Sequence, residues 1–200
     1  MTDFDVALKS AECWLELASG ERITLPVQQW LATQPSDEML LAHCAGPTLD
    51  VGCGPGRLAS ALTSRGVPVL GVDVSPVAVR LTLARGAIAL RRNVFDPLPG
   101  EGRWHSVLLA DGNIGIGGDP VRLLNRIRRL LSRDGKVFVE IDPPGTGLRR
   151  QQVRVNGSGT WLPWAWLGAD AVDETAGAAG FRPRWIAEGG DRWFTELVPR

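Results

Sequence analysis

The sequence predicts an α/β domain built on a doubly wound, mostly parallel sheet with helices on both faces. Two observations carry that prediction. From residue 46 onward, short apolar runs alternate with segments of helical periodicity, the rhythm of successive βαβ units. The strands marked in this way end at or close to an aspartate, so that Asp50, Asp73, Asp96, Asp111 and Asp142 fall on one rim. Ligands of such sheets sit beyond the carboxyl ends of the strands, near the point where strand order reverses.

Each element follows from local chemistry. Residues 1–45 read as a helical cap region, with helices over Ala7–Ala18 and from a Ser36 cap to about Ala45. Thr48–Val51 is the first strand. Leu58, Ala61 and Leu62 then share a helical face that closes at Gly66, where a C-cap glycine belongs. Val67–Val74 is the second strand, with Pro68 near its start, where a missing N–H is tolerated. Ser75 and Pro76 open the next helix as N-cap and first helical residue, and Gly86 closes it. Ile88–Asp96 and Trp104–Asp111 are the third and fourth strands. Asp119-Pro120 repeats the cap signature and starts a helix with an apolar stripe of Leu123, Leu124, Ile127, Leu130 and Leu131. The opposite stripe of Arg122, Arg126, Arg129 and Arg133 reads as a solvated face. Lys136–Asp142 is the fifth strand.

One domain covers 1–200, with 46–142 as its core and 143–200 supplying a flap and a closing hairpin. Residues 149–157 alternate like a strand, and Trp161, Trp164 and Trp166 crowd the following stretch. Residues 169–180 form a modest helix. "FRPRWIAEG" and "RWFTELV" read as an antiparallel edge hairpin.

Composition narrows the function. Formal net charge is zero, so no global field draws the chain to nucleic acid or to an anionic membrane, and neither is an expected partner. The three cysteines, Cys13, Cys44 and Cys53, are widely spaced, and with two histidines no metal site is expected. The N-terminus lacks an apolar signal core, and no apolar run nears the roughly 20 residues that span a bilayer. The expectation is a cytoplasmic chain with free thiols. There are eight Trp and no Tyr.

Two glycine-rich runs raise the question of a ligand. "LDVGCGPG" is not a dinucleotide fingerprint, because Arg57 stands where its last glycine would be. No Gly-Lys-Ser/Thr triplet exists for a phosphate loop, and the second run, Gly112–Asp119, has no Lys. Asp50, just ahead of the glycines, repels a pyrophosphate and welcomes an ammonium group. Asp73 is placed to accept ribose hydroxyls, and Asp96 to accept from an exocyclic amine. An amino-acid end, a ribose and an adenine without phosphate describe S-adenosylmethionine.

"TLDVGCGPGRL", "VLGVDVSPVAV", "NVFDPLP" and "LLADGNIG", in that order, resemble the motif series of the class I S-adenosylmethionine-dependent methyltransferases. The resemblance covers about residues 46–142. It implies a Rossmann-like, seven-stranded sheet with an antiparallel hairpin at the C-terminal edge, and transfer of a methyl group to a small-molecule acceptor. It gives Gly52, Gly54 and Gly56 the backbone approach to the methionine part, with Cys53 as a small loop residue and Asp50 orienting the loop. It implies that Asp73 takes the ribose hydroxyls while Val74 lies against the adenine. Phe95 and Asp96 would flank the base, and Ala110 and Asp111 would lie near the sulfonium and the methionine amine.

The acceptor side has no shared motif. Asp142 is a candidate at the rim, and Glu140 reads as a structural polar group. His105 begins its strand at the far end from the rim and is discounted. Trp161, Trp164 and Trp166 are candidates for stacking on an aromatic or cationic acceptor, against the alternative of a hydrophobic flap. Arg149, Arg150 and Arg154 read as strand-edge charge. No catalytic base is assigned, and oligomeric state is left open. Two rivals remain: a catalytically silent S-adenosylmethionine-binding protein, and an NAD-binding oxidoreductase, which Arg57 argues against.

Overall fold

In a computed structural model, which describes residues 4–8 and 12–200, the core is a seven-stranded sheet. Two strands precede it in the chain, β1 (Trp14–Leu17) and β2 (Arg22–Thr24). The sheet itself is built from β3 (Thr48–Val51), β4 (Val69–Asp73), β5 (Ile88–Arg91), β6 (Trp104–Leu109) and β7 (Leu131–Ile141), with β10 (Phe181–Gly189) and β11 (Arg192–Pro199). Strand order is β10-β11-β7-β6-β3-β4-β5. The five strands β3 to β7 run parallel, and order reverses between β3 and β6. The hairpin β10–β11 joins antiparallel to β7, as the sequence predicts.

The local signals hold where they are strongest. Ser75 Oγ accepts the Val77 and Ala78 N–H groups (3.1 and 3.0 Å) at the start of α4 (Pro76–Ala84). Asp119 does the same for Val121 and Arg122 (3.1 and 3.2 Å) ahead of α5 (Pro120–Leu130). Each cap satisfies two of the four donors that a helix N-terminus leaves open. Helix α3 (Arg57–Ser64) starts directly from the first glycine-rich loop. Leu58 and Leu62 pack with Leu40 and Leu41 of α2 (Glu38–Leu41) and with Leu108, Phe138 and Phe194 on one face of the sheet. Leu123, Leu124, Ile127 and Leu130 of α5 pack on the other face with Val107, Val137 and Val139. The sheet is therefore apolar on both sides, as a doubly wound parallel sheet requires.

Three expectations need correction. The helix over Ala7–Ala18 is not formed: residues 9–11 lie outside the described residues, α1 is only Phe4–Ala7, and Trp14–Leu17 is a strand. Leu15 and Leu17 are buried while Glu16 points away, a period of two over too few residues to be told from a helix by sequence. The third strand ends at Arg91, because Asn93 Oδ1 accepts the Phe95 N–H (3.0 Å) and the Asp96 N–H bonds to the Asn93 carbonyl (3.0 Å), turning the chain.

The third correction concerns the tryptophan segment. Here β8 (Leu148–Val155) and β9 (Leu162–Leu167) join β1 and β2 in a second, antiparallel sheet of order β2-β1-β8-β9. This sheet has its own core of Cys13, Leu15, Leu17, Val27, Val153 and Val155, with Phe4, Trp30, Trp164 and Trp166 packed against it. It is anchored at the rim of the main sheet: the Asp142 N–H donates to the Leu167 carbonyl (2.8 Å), and Asp142 bridges to Gly168. The chain then returns through α6 (Val172–Ala178) to β10. Among the described residues, no helix is long and apolar enough to cross a membrane.

Candidate functional site

The rim at the carboxyl ends of β3, β4 and β6 gathers the sequence motifs. The loop after β3 wraps Gly52, Cys53, Gly54 and Gly56, and its three glycines do different work. A Cβ on Gly52 would meet the Asn113 amide at 2.6–2.9 Å, and one on Gly56 would meet Thr82 of α4 at 2.7–2.8 Å. Those two are small because protein approaches them. Above Gly54 the nearest atom is the Gly52 carbonyl at 4.0 Å, so its backbone faces open space. Asn113 Nδ2 donates to the carbonyls of Val51 and Gly52 (2.9 and 3.0 Å), tying the loop to the exit of β6. Cys53 is buried with Sγ 3.6 Å from Thr82 Oγ1. Burial pushes its thiol far above the usual range, with Asp50 and Asp73 adding to the effect, which disfavours the thiolate.

Asp73 ends β4 beside that open space. Its Oδ2 accepts the Gly54 N–H (3.0 Å) and its Oδ1 the Ser75 N–H (2.8 Å). Each carboxylate oxygen has capacity for a further donor. Burial raises its pKa, and the two backbone bonds oppose the rise. Val74, next in the chain, is 41% exposed, an apolar surface open to solvent at the rim. Asp5 of α1 accepts from Ser75 Oγ, which brings the N-terminal segment to the same corner.

Asp50 is fully buried in β3, with Oδ2 lacking a hydrogen-bond partner. Burial lifts its pKa to about 7, Asp111 adds to the rise, and Arg57 opposes it. The folded protein therefore holds the Asp50 proton more tightly than the unfolded chain, whose value lies near 3.9. This contribution to stability is fully present below the unfolded pKa and is lost as pH rises through the window up to about 7, with a slope of at most about 1.4 kcal/mol per pH unit. Asp50→Asn is expected to melt higher than the wild type near pH 8, with the difference vanishing near pH 4. A melting-temperature difference that does not change with pH contradicts this reading of Asp50.

The densest chemistry lies beside Asp111. Its φ is +53°, an uncommon left-handed conformation for a residue with a Cβ. Arg57 Nη2 donates to both Asp111 oxygens (2.8 and 2.6 Å), and Arg57 Nη1 pairs with buried Asp37. The Asp111 N–H donates to Glu140 Oε2 (2.7 Å). Arg192, from β11, donates through Nε and Nη2 to Glu140 (2.8 and 2.6 Å) and through Nη1 to Asp37 and Ser36 Oγ (2.8 and 3.1 Å). Three carboxylates and two guanidiniums thus interlock at the rim. Burial raises the Asp111 pKa to about 6, Arg57 opposing and Glu140 reinforcing. Burial also works against the charges of Asp37 and Arg57. The pairing outweighs it, so Asp37 lies below and Arg57 above their ordinary values.

The remaining expected residues scatter. Ala110 is buried just ahead of Asp111. Phe95 is half-buried: its ring lies 2.9 Å from where a Cβ on Gly117 would be, and the Arg122 guanidinium covers it at 4.3 Å. The Asp96 side chain is exposed, while its backbone carbonyl accepts from Arg126 (2.7 Å). Asp142 serves the junction with the second sheet, and burial raises its carboxyl. Trp161 is 40% exposed under Arg154 (4.8 Å), and Arg149 lies over Trp166 (5.4 Å), so the chain's own cations already occupy a face of each ring. Trp164 meets Phe4 at 5.7 Å and packs against Gly115.

Sequence reasoning missed Asp37, Asn113 and Arg192, and treated Arg57 only as a departure from a fingerprint. The one local signal was an arginine opening a helix directly after a glycine-rich loop.

Comparison with known proteins adds to this geometry. A family model for a methyltransferase domain matches residues 48–135. The fold is similar to that of a SAM-dependent methyltransferase from Bacteroides fragilis, solved in complex with S-adenosyl-L-homocysteine. Identity is 22%, over 98% of this chain and 91% of that one, with a TM-score of 0.75. It is also similar to 1,6-didemethyltoxoflavin-N1-methyltransferase from Burkholderia thailandensis, at 20% identity over 83% and 77% of the two chains and a TM-score of 0.66. The CcbJ methyltransferase of Streptomyces caelestis matches at 17% identity over 82% and 88%, with a TM-score of 0.62.

Proposed function

We propose that the chain is a class I S-adenosylmethionine-dependent methyltransferase, as the match of a methyltransferase-domain model to residues 48–135 supports, and that it transfers the methyl group of S-adenosylmethionine to a small molecule. The observation that carries this reading is the corner formed by Gly54 and Asp73. There a backbone open to solvent lies beside a carboxylate whose two oxygens each have room for one more donor. A ribose diol supplies those two donors. Val74 offers an exposed apolar surface to the base, and the partly exposed Asp111 carboxylate, already held by Arg57, is placed for the methionine ammonium. Acids outnumber bases in the crevice, which suits a ligand whose sulfonium and ammonium outweigh its one carboxylate.

When bound, the cofactor supplies an electrophilic methyl group for in-line displacement. The chain's residues bind, orient and exclude water, and alignment itself supplies several kcal/mol of the barrier. A cleft of about 520 Å³, lined by Gln29, Gln34, Ser36, Glu38, Asp191 and Arg192 among others, opens next to the ion cluster. Its size matches small-ligand sites. Methyl-labelled S-adenosylmethionine, incubated with the protein and a metabolite library, is expected to label at least one small compound. Labelling of protein or nucleic acid alone contradicts the small-molecule reading.

A further inference from the structure

We propose that Arg192, which lies outside every cofactor motif, is a positioning residue of the transfer site: by clamping Glu140 and Asp37 it holds the left-handed turn that presents Asp111 to the cofactor's methionine end. The inference rests on the functional reading above and adds a residue to it.

The geometry is specific. Arg192 is the second clamp of a chain of contacts that begins at the cofactor loop. Arg57 leaves that loop and grips Asp111 and Asp37, and Arg192 grips Asp37 again from the other side. Arg192 then closes the ring through a two-bond fork onto Glu140, and Glu140 Oε2 receives the Asp111 N–H. A planar guanidinium matches a carboxylate in this fork, which an ammonium does not. Asp111 bears a left-handed conformation that costs free energy, and such residues persist where the surroundings over-determine them. Here the surroundings are the backbone bond to Glu140 and the two contacts from Arg57 Nη2, with the Arg192 guanidinium close by. Arg192 fixes the first directly, and braces the second through Asp37.

The charges that face Asp111 come from four elements: Arg57 on α3, Glu140 on β7, Arg192 on β11 at 3.5 Å, and Asp50 on β3 beneath it. Arg57 and Arg192 favour its ionised form, and Glu140 and Asp50 oppose it. Removing Arg192 therefore has an electrostatic signature that simple loosening of the fold does not.

Binding of S-adenosylmethionine and S-adenosylhomocysteine would be measured by calorimetry from about pH 5 to 8, with circular dichroism to confirm folding. Arg192→Gln is expected to weaken both ligands at least tenfold and to move the acid limb of the binding profile up by about one pH unit. Glu140→Gln is expected to move that limb down. Opposite shifts support the inference. Equal shifts, or none, overturn it and leave Arg192 a structural residue. Should Arg192→Gln fail to fold, Arg192→Lys keeps the charge and loses the fork. Weaker binding of both ligands with the acid limb in place is then expected, and unchanged affinity overturns the inference. A wild-type protein that binds neither ligand removes the functional reading itself, and the inference with it.

Discussion

Asp73→Ala is expected to weaken S-adenosylmethionine binding by about 100-fold, the largest single effect on the cofactor side. The side chain combines two duties. It holds the Gly54 and Ser75 N–H groups, and its spare capacity faces the open corner above Gly54. A hydrogen bond to a charged group is worth roughly 1.5–3 kcal/mol, so losing the two proposed ribose bonds costs about 3 kcal/mol or more. Ser75 keeps its own cap bonds to Val77 and Ala78, so α4 is expected to start normally in the variant. Asp73→Asn separates the duties further, since its amide keeps one acceptor oxygen and loses the charge. A variant that is folded by circular dichroism and binds S-adenosylmethionine as tightly as the wild type contradicts this placement of the ribose.

Gly115→Ala is expected to cost about 3 kcal/mol or more of stability, the largest packing effect at the site. A Cβ there would collide with the Ala165 carbonyl of β9 and lie within 2.8 Å of Trp164 Nε1. The first obstacle is backbone and cannot swing away. Strand β9 also meets the loop at Gly118, where a Cβ would lie 2.7 Å from the Pro163 side chain. The second sheet therefore rests directly on the exit of β6. The substitution forces the sheet off that loop, and the consequence reaches Asn113, which ties the loop to Gly52. Chemical unfolding is expected to show a lower midpoint, and limited proteolysis faster cutting between β8 and β9. A midpoint within about 0.5 kcal/mol of the wild type contradicts the close docking.

Much of the main sheet is legible in the sequence because its signals are local. Ser75-Pro76 and Asp119-Pro120 each announce a helix within two residues, and the apolar runs of β3, β4 and β6 end in glycine or aspartate. The second sheet is not legible, because its pairings are distant. Leu15 finds Val155, and the two halves of the sheet are separated by all five parallel strands of the main sheet. The tetrapeptide Trp14-Leu15-Glu16-Leu17 has no periodicity long enough to choose between helix and strand.

The candidate site divides the same way. Asp73 and the glycine loop could be read from spacing. The partnership of Arg192 with Asp37, residues 155 positions apart, could not, because nothing near either residue marks the other. The density of glycine between Gly112 and Gly118 was visible, and its cause was not. Gly115 and Gly118 make room for a strand that the chain forms some fifty residues later.

Direct calorimetric titration of the wild-type chain tests most simply whether the rim of β3, β4 and β6 holds S-adenosylmethionine. Saturable, one-to-one binding of S-adenosylmethionine and S-adenosylhomocysteine, with none of NAD, is the result expected. Folded protein that takes up neither sulfur ligand, or that binds NAD instead, contradicts the account.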